Sequence, residues 1–194
     1  MKKLIALLFI IVILIFSGCK NNSTEPTNAK EIWPLKVGNY WTMKIYNYDS
    51  HGNVTDTSSS SYNVVSDTII NGRHIYVVIN DGYPNYYSNL SDGFYQYSTY
   101  SDTLTIVLKY PVYAGETYLS GESTIKVLNT NEQVVVPAGS FSSYHYENIG
   151  DTDYKTVVHC KPGVGIIKME YCEIDINNNL RLVGKSELTS YKLN

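Results

Sequence analysis

The sequence predicts an all-β domain: an antiparallel meander forming a strongly curved half-barrel or barrel-like sheet, with a two-sheet β-sandwich as the alternative. Three observations predict it. From Ile32 onward no stretch of 11 or more residues repeats its apolar positions at the helical period. Short runs rich in Val, Ile, Thr and Tyr recur instead. Turn dipeptides separate these runs in sequence order, which favours neighbouring strands that pair antiparallel.

The elements follow in order. Tyr40–Tyr48 opens the sheet and ends at the reversal His51-Gly52-Asn53. Ser60–Ile70 and Arg73–Asn80 flank Asn71-Gly72, the strongest hairpin signal in the chain. Both central residues of a type I′ turn need positive φ, which Asn and Gly tolerate. Asp81-Gly82 and Asp92-Gly93 mark the next reversals, followed by strands at Phe94–Tyr100 and Thr103–Tyr110. Ser123–Asn129, Gln133–Val136 and Ser143–Asn148 come next. Pro137-Ala138-Gly139 reverses the chain between the last two and leaves Phe141 free to enter the core. Tyr154–Cys160 and Val164–Ile174 flank Pro162-Gly163, where Pro sets φ at one turn position and Gly accepts positive φ at the next. Asn177 to Asn179 then lead into the last strand, Leu180–Tyr191.

The N-terminus is a processing signal. Met1-Lys2-Lys3 is a positive n-region, and Leu4–Phe16 is an unbroken apolar run of 13 residues. As a helix that run would be about 20 Å long, against a bilayer core about 30 Å thick. It therefore fits the apolar region of a signal peptide better than a membrane span. Ser17-Gly18-Cys19 follows, and this resembles a bacterial lipobox. The resemblance implies cleavage after residue 18, lipidation of Cys19 and a membrane anchor for everything beyond it. Lys20 directly after the lipidated cysteine favours the outer membrane. The chain thus divides into a signal peptide (1–18), the lipidated cysteine with a flexible tether (19–31) and one β domain (32–194). The polar stretch Lys20–Lys30 reaches at most about 35 Å when fully extended.

Loss of residues 1–18 leaves 176 residues, enough for one domain with a sizeable core. Without Lys2 and Lys3, 13 basic residues face 18 acidic ones, a net charge of about −5. No basic stripe is present to neutralise phosphates, so nucleic acid is not an expected partner. The abundance of aromatic and β-branched residues argues against disorder.

Three motifs recur in order: Trp33-Pro34-Leu35-Lys36-Val37-Gly38-Asn39-Tyr40-Trp41, Val136-Pro137-Ala138-Gly139-Ser140-Phe141 and Pro162-Gly163-Val164-Gly165-Ile166-Ile167-Lys168. Read as residues, they are turns and anchors. Pro34 and Gly38 bracket a turn into the first strand, and Trp33 and Trp41 are large apolar anchors. Together they resemble a group of uncharacterised bacterial lipoproteins and periplasmic domains. Some of these are similar in fold to the half-barrel proteins that carry lipoproteins and lipids across the periplasm. The resemblance implies a curved sheet with an apolar ligand and carries over no catalytic residue.

Catalytic and metal signals are weak. His51, His74, His145 and His159 are scattered, and His159-Cys160, as neighbours on a strand, would face opposite ways, so no metal or cofactor is expected. Asp175 to Asn179 echoes a calcium loop, but Leu180 replaces the sixth-position Gly and Ser186 the twelfth-position carboxylate. There is no Gly-x-Ser-x-Gly elbow, and Glu116, Glu122, Asp151 and Asp153 sit near turns, where carboxylates are solvated by default. No enzyme is expected. Cys160 and Cys172 remain after lipidation in a compartment where disulfides persist. A hairpin centred on Gly163 and Val164 would set them about 17 Å out of register, although a bulge or pairing on different strands could still join them.

Tyrosine is the most unusual component, with 19 in the chain. Phe94 and Tyr100 should face one side of their strand, and Tyr95 and Tyr97 the other. Tyr95 and Tyr97 are therefore the candidate exposed contact residues. The expected role is non-catalytic binding of an apolar or amphipathic ligand, a lipid or acyl chain, in the concave face. The alternative is a surface module that binds glycan or protein through exposed tyrosines.

Overall fold

The computed structural model describes residues 31–149, 154–174 and 179–194. The signal peptide, Cys19, the tether up to Lys30, Asp151, Asp153 and most of the calcium-like stretch lie outside these residues. Twelve antiparallel strands make up the described structure: β1 (Tyr40–Tyr48), β2 (Val54–Ile70), β3 (Arg73–Asn80), β4 (Tyr83–Leu90), β5 (Gly93–Ser98), β6 (Thr103–Lys109), β7 (Thr117–Ser120), β8 (Ser123–Val136), β9 (Gly139–Asn148), β10 (Tyr154–Lys161), β11 (Gly165–Ile174) and β12 (Leu180–Lys192). They form one sheet in the order β6-β5-β4-β3-β2-β1-β12-β11-β10-β9-β8-β7. The first strand therefore lies in the middle of the sheet. β1 pairs with both β2 and β12, and two meanders run outward from it. Their ends, β6 and β7, come back together without a ladder, so the sheet is a nearly closed barrel.

Turn chemistry sets most of the register. Asn71 and Gly72 both have positive φ (49° and 75°), as a type I′ hairpin requires, and Ile70 pairs with Arg73 across them. Two strands are not evident in the sequence. In β4 (YPNYYSNL), Pro84 and the asparagines look like loop chemistry. Pro84 is tolerated because β5 pairs only from Tyr87 onward, leaving one side of β4 free at Pro84. β7 has only four residues. The expected segments Ser123–Asn129 and Gln133–Val136 are one strand, β8, whose register breaks between Asn129 and Glu132. β2 also starts earlier than expected, because the polar, exposed stretch from Val54 to Ser59 pairs with β1 without burying a face.

A single core fills much of the barrel, with Trp41, Phe94, Tyr146, Ile167 and Leu188 among its fully buried side chains. Bulges enlarge its share of the sequence. Val107 has no partner in the β5–β6 ladder, and Ile167 has none between β10 and β11. Each bulge lets two consecutive side chains, Val107 and Leu108 or Ile166 and Ile167, contribute to the core.

Candidate functional site

The barrel is closed at one place by its own N-terminal segment. Ile32, Trp33 and Leu35 are buried ahead of the first strand. Trp33 lies among Trp41, Tyr62, Tyr87 and Phe94, with ring centroids 5.1–6.1 Å away. Several backbone groups hold the segment. The Glu31 carbonyl accepts from Gly163 N–H (2.9 Å), the Trp33 carbonyl from Asn89 Nδ2 (2.9 Å) and the Pro34 carbonyl from Asn39 Nδ2 (2.9 Å). Trp41 Nε1 donates to the Val164 carbonyl at 2.6 Å. The first and third sequence motifs are therefore two sides of one contact. Gly165, at φ 109°, is required there because a Cβ would come within 2.5 Å of the Trp33 ring.

The seam between β6 and β7 is built differently. Across it Tyr118 Oη donates to the Val107 carbonyl (3.0 Å), and Tyr146 Oη from β9 donates to the Lys109 carbonyl (2.9 Å). These hydroxyls occupy acceptors on β6 that a neighbouring strand would otherwise use. Burial pushes the ionisation of both tyrosines far above the ordinary phenol range, so they remain donors. Lys109 Nζ pairs with Glu116, whose side chain is nearly buried rather than solvated as its turn position suggests. The hydrogen bond from Lys109 holds the Glu116 carboxyl below the usual range.

Behind the seam lies a partly open cavity of about 220 Å³. Val107, Leu108, Ile125, Tyr146, Val158, Ile166 and Met169 give it apolar walls, and Ser120, Ser123, Glu147, Asn148 and Thr156 are its polar members. Its lining comes from β6, β7, β8, β9, β10 and β11, so no single stretch of sequence encodes it.

Comparison with solved structures places the architecture. Two of them share the fold. An inferred lipoprotein from Parabacteroides distasonis aligns with a TM-score of 0.56 at 15% identity, over 85% of this chain and 100% of that one. An inferred exported protein with a YmcC-like fold from Bacteroides fragilis aligns with a TM-score of 0.50 at 16% identity, over 86% of this chain and 100% of that one. No family model and no curated protein matches the chain.

The residues singled out in the sequence fare unevenly. Tyr97 is only 7% exposed, with Oη donating to Asp102 (2.9 Å), so its ring is not the open surface expected of it. Tyr95 is half-buried and donates to Asp92 (2.9 Å); burial, with help from that bond, pushes its pKa up to about 12. β5 ends at Ser98, so Tyr100 does not share a face with Phe94. It stands 99% exposed in the following turn, while Phe94 is in the core. Cys160 and Cys172 are free thiols. Their strands are the expected hairpin: Cys172 pairs with Lys155 and Cys160 with Ile166, far apart along the ladder. The bulge moves Cys160 by one residue only, which does not bring the two sulfurs together. Burial pushes the Cys160 thiol far up, so it is an inert core side chain.

Sequence reasoning missed the cavity and the pairing of two histidines. His145 on β9 and His159 on β10 are direct cross-strand partners. Only the register reveals this, because the histidines stand fourteen positions apart on two different strands. They continue a polar row through Lys168, Glu187 and Lys44. Beside it, Lys155 pairs with Glu147 (2.8 Å), Lys168 with Glu170 (2.8 Å) and Lys185 with Glu187 (3.0 Å).

Proposed function

We propose that this is a lipid-anchored protein of the bacterial cell envelope, held at the outer membrane through Cys19, that binds the apolar end of an amphipathic ligand without catalysis. The observation that carries this reading is the apolar cavity behind the β6–β7 seam. Sheet edges that meet without a ladder can part without breaking backbone hydrogen bonds between them, which gives a ligand a route inward. A dry cavity of about 150 Å³ suffices for a benzene-sized molecule. At about 220 Å³ this one takes one acyl-chain end or a small apolar ring, and the remainder of the ligand stays outside. The likeness to an inferred lipoprotein and an inferred exported protein supports an envelope location.

Native mass spectrometry tests the reading. The Cys19→Ser chain, exported behind a cleavable signal and purified without detergent, should carry an extra mass of lipid size that organic extraction removes. Val158→Phe, which puts a phenyl ring into the cavity, should abolish it. A clean apoprotein mass, even after incubation with envelope lipid extract, would overturn the proposal and return attention to surface partners such as glycans.

A further inference from the structure

We infer that Glu132, His145 and His159 form a binding site for one borderline divalent cation, of which Zn²⁺ is the type. The site lies on β8, β9 and β10, with Glu147 shared between its surroundings and the cavity wall, and does not rest on the ligand-binding reading. One donor atom from each residue can be chosen so that all lie within 4.8 Å of one another. The two imidazoles are cross-strand partners with ring centroids 4.6 Å apart. Glu132 reaches them because β8 breaks register just before it. Asn129 pairs with His145 and Glu132 with Ser143, so two residues of β8 stand against one of β9.

The second observation is an unsatisfied donor set. His159 is only 4% exposed, and its Nδ1 has no hydrogen-bond partner among the described residues. A buried ring nitrogen without a partner is unfavourable, and nearly all such groups in folded proteins find one. A cation supplies it. His145 Nδ1 lies 2.7 Å from Glu132 Oε2, and its Nε2 lies 3.5 Å from Glu147 Oε1. Glu147 is in turn held by Lys155 (2.8 Å). A ligating histidine whose other nitrogen faces a carboxylate is the usual outer-shell arrangement of zinc sites.

Two imidazole nitrogens and one carboxylate oxygen suit Zn²⁺ and neighbouring first-row ions, and disfavour Ca²⁺ and Mg²⁺, which prefer all-oxygen shells. Donors bound about 2.0–2.1 Å from zinc sit roughly 3.4 Å apart, so the group must tighten by about an ångström. The 37% exposure of the Glu132 side chain gives it the freedom to do so. Three protein ligands leave a fourth position for water. The bound ion would tie three adjacent strands together.

The test is calorimetric titration of ZnCl₂ into chelator-stripped mature protein carrying no histidine tag. One Zn²⁺ per chain should bind, and Co²⁺ at the same site should gain visible absorption beyond that of the aqueous ion. His159→Gln, His145→Gln and Glu132→Gln should each weaken binding by at least tenfold, while His51→Gln and His74→Gln leave it unchanged. Glu132 is exposed enough that its variant folds even if the His159 variant does not. Absence of stoichiometric binding, or binding undiminished in both Glu132→Gln and His145→Gln, would overturn the site.

Discussion

The plugged region around Trp33 and the seam between β6 and β7 solve the same problem by opposite means. Both must cover part of the interior of a barrel. At the plug, the chain itself enters, held by aromatic edge-to-face packing and backbone hydrogen bonds. At the seam, two strand edges meet without a backbone ladder, through tyrosine hydroxyls that donate to backbone carbonyls, and a cavity lies behind them. On the proposed reading, the plug serves stability and the seam serves access. Regions that must open are drawn from the less stable parts of a fold.

The comparison can be broken most directly at the plug. Trp33→Ala removes the ring on which four aromatic neighbours converge and should cost about 3–5 kcal/mol in urea unfolding. Gly165→Ala forces a methyl against that ring and should cost about 1–3 kcal/mol. Because the clash is with Trp33, the two losses should be markedly less than additive. Additive losses would mean that positive φ at Gly165, and not the approach of the indole, sets the constraint.

A smaller effect is expected at the seam. Tyr118→Phe removes the hydroxyl from the Val107 carbonyl and should cost about 0.5–1.5 kcal/mol. Hydrogen exchange should rise in β6 and β7 while the strands around Trp33 keep their protection. Uniform loss of protection across the barrel would show that the seam does not open separately.

The smallest effect is in pH dependence. Glu116 has a lower pKa folded than unfolded, so between these values the unfolded chain binds more protons. Its contribution is therefore present above the ordinary carboxylate pKa of 4.5 and lost as pH falls through the depressed folded value. Glu116→Gln should lower the urea midpoint at pH 7, and the gap to the parent chain should shrink on acidification. A gap that stays constant down to the acid range would show that Glu116 contributes by packing rather than by charge.

Much of the fold is legible in the sequence where local chemistry is decisive. β1 and β3 begin and end where the residue pattern places them, because Asn-Gly and polar reversals bound runs of strand-forming residues. Asn71-Gly72 and Pro162-Gly163 turn the chain for the reasons their side chains suggest. β4 was hidden because Pro84 and the asparagines carry loop chemistry, and their place in a strand depends on which neighbour is absent. Tyr97 misled for a related reason. Alternation along β5 assigns a face, but burial of that face depends on what else packs there.

Local sequence pattern thus settles the all-β class and the principal turns, since each depends on residues a few positions apart. Closure of the sheet into a barrel, the plug, the cavity and the meeting of His145 with His159 are matters of tertiary structure. Each depends on register between strands far apart in the chain or separated by bulges. A single bulge changes which consecutive side chains face inward, and composition and periodicity leave no trace of that choice.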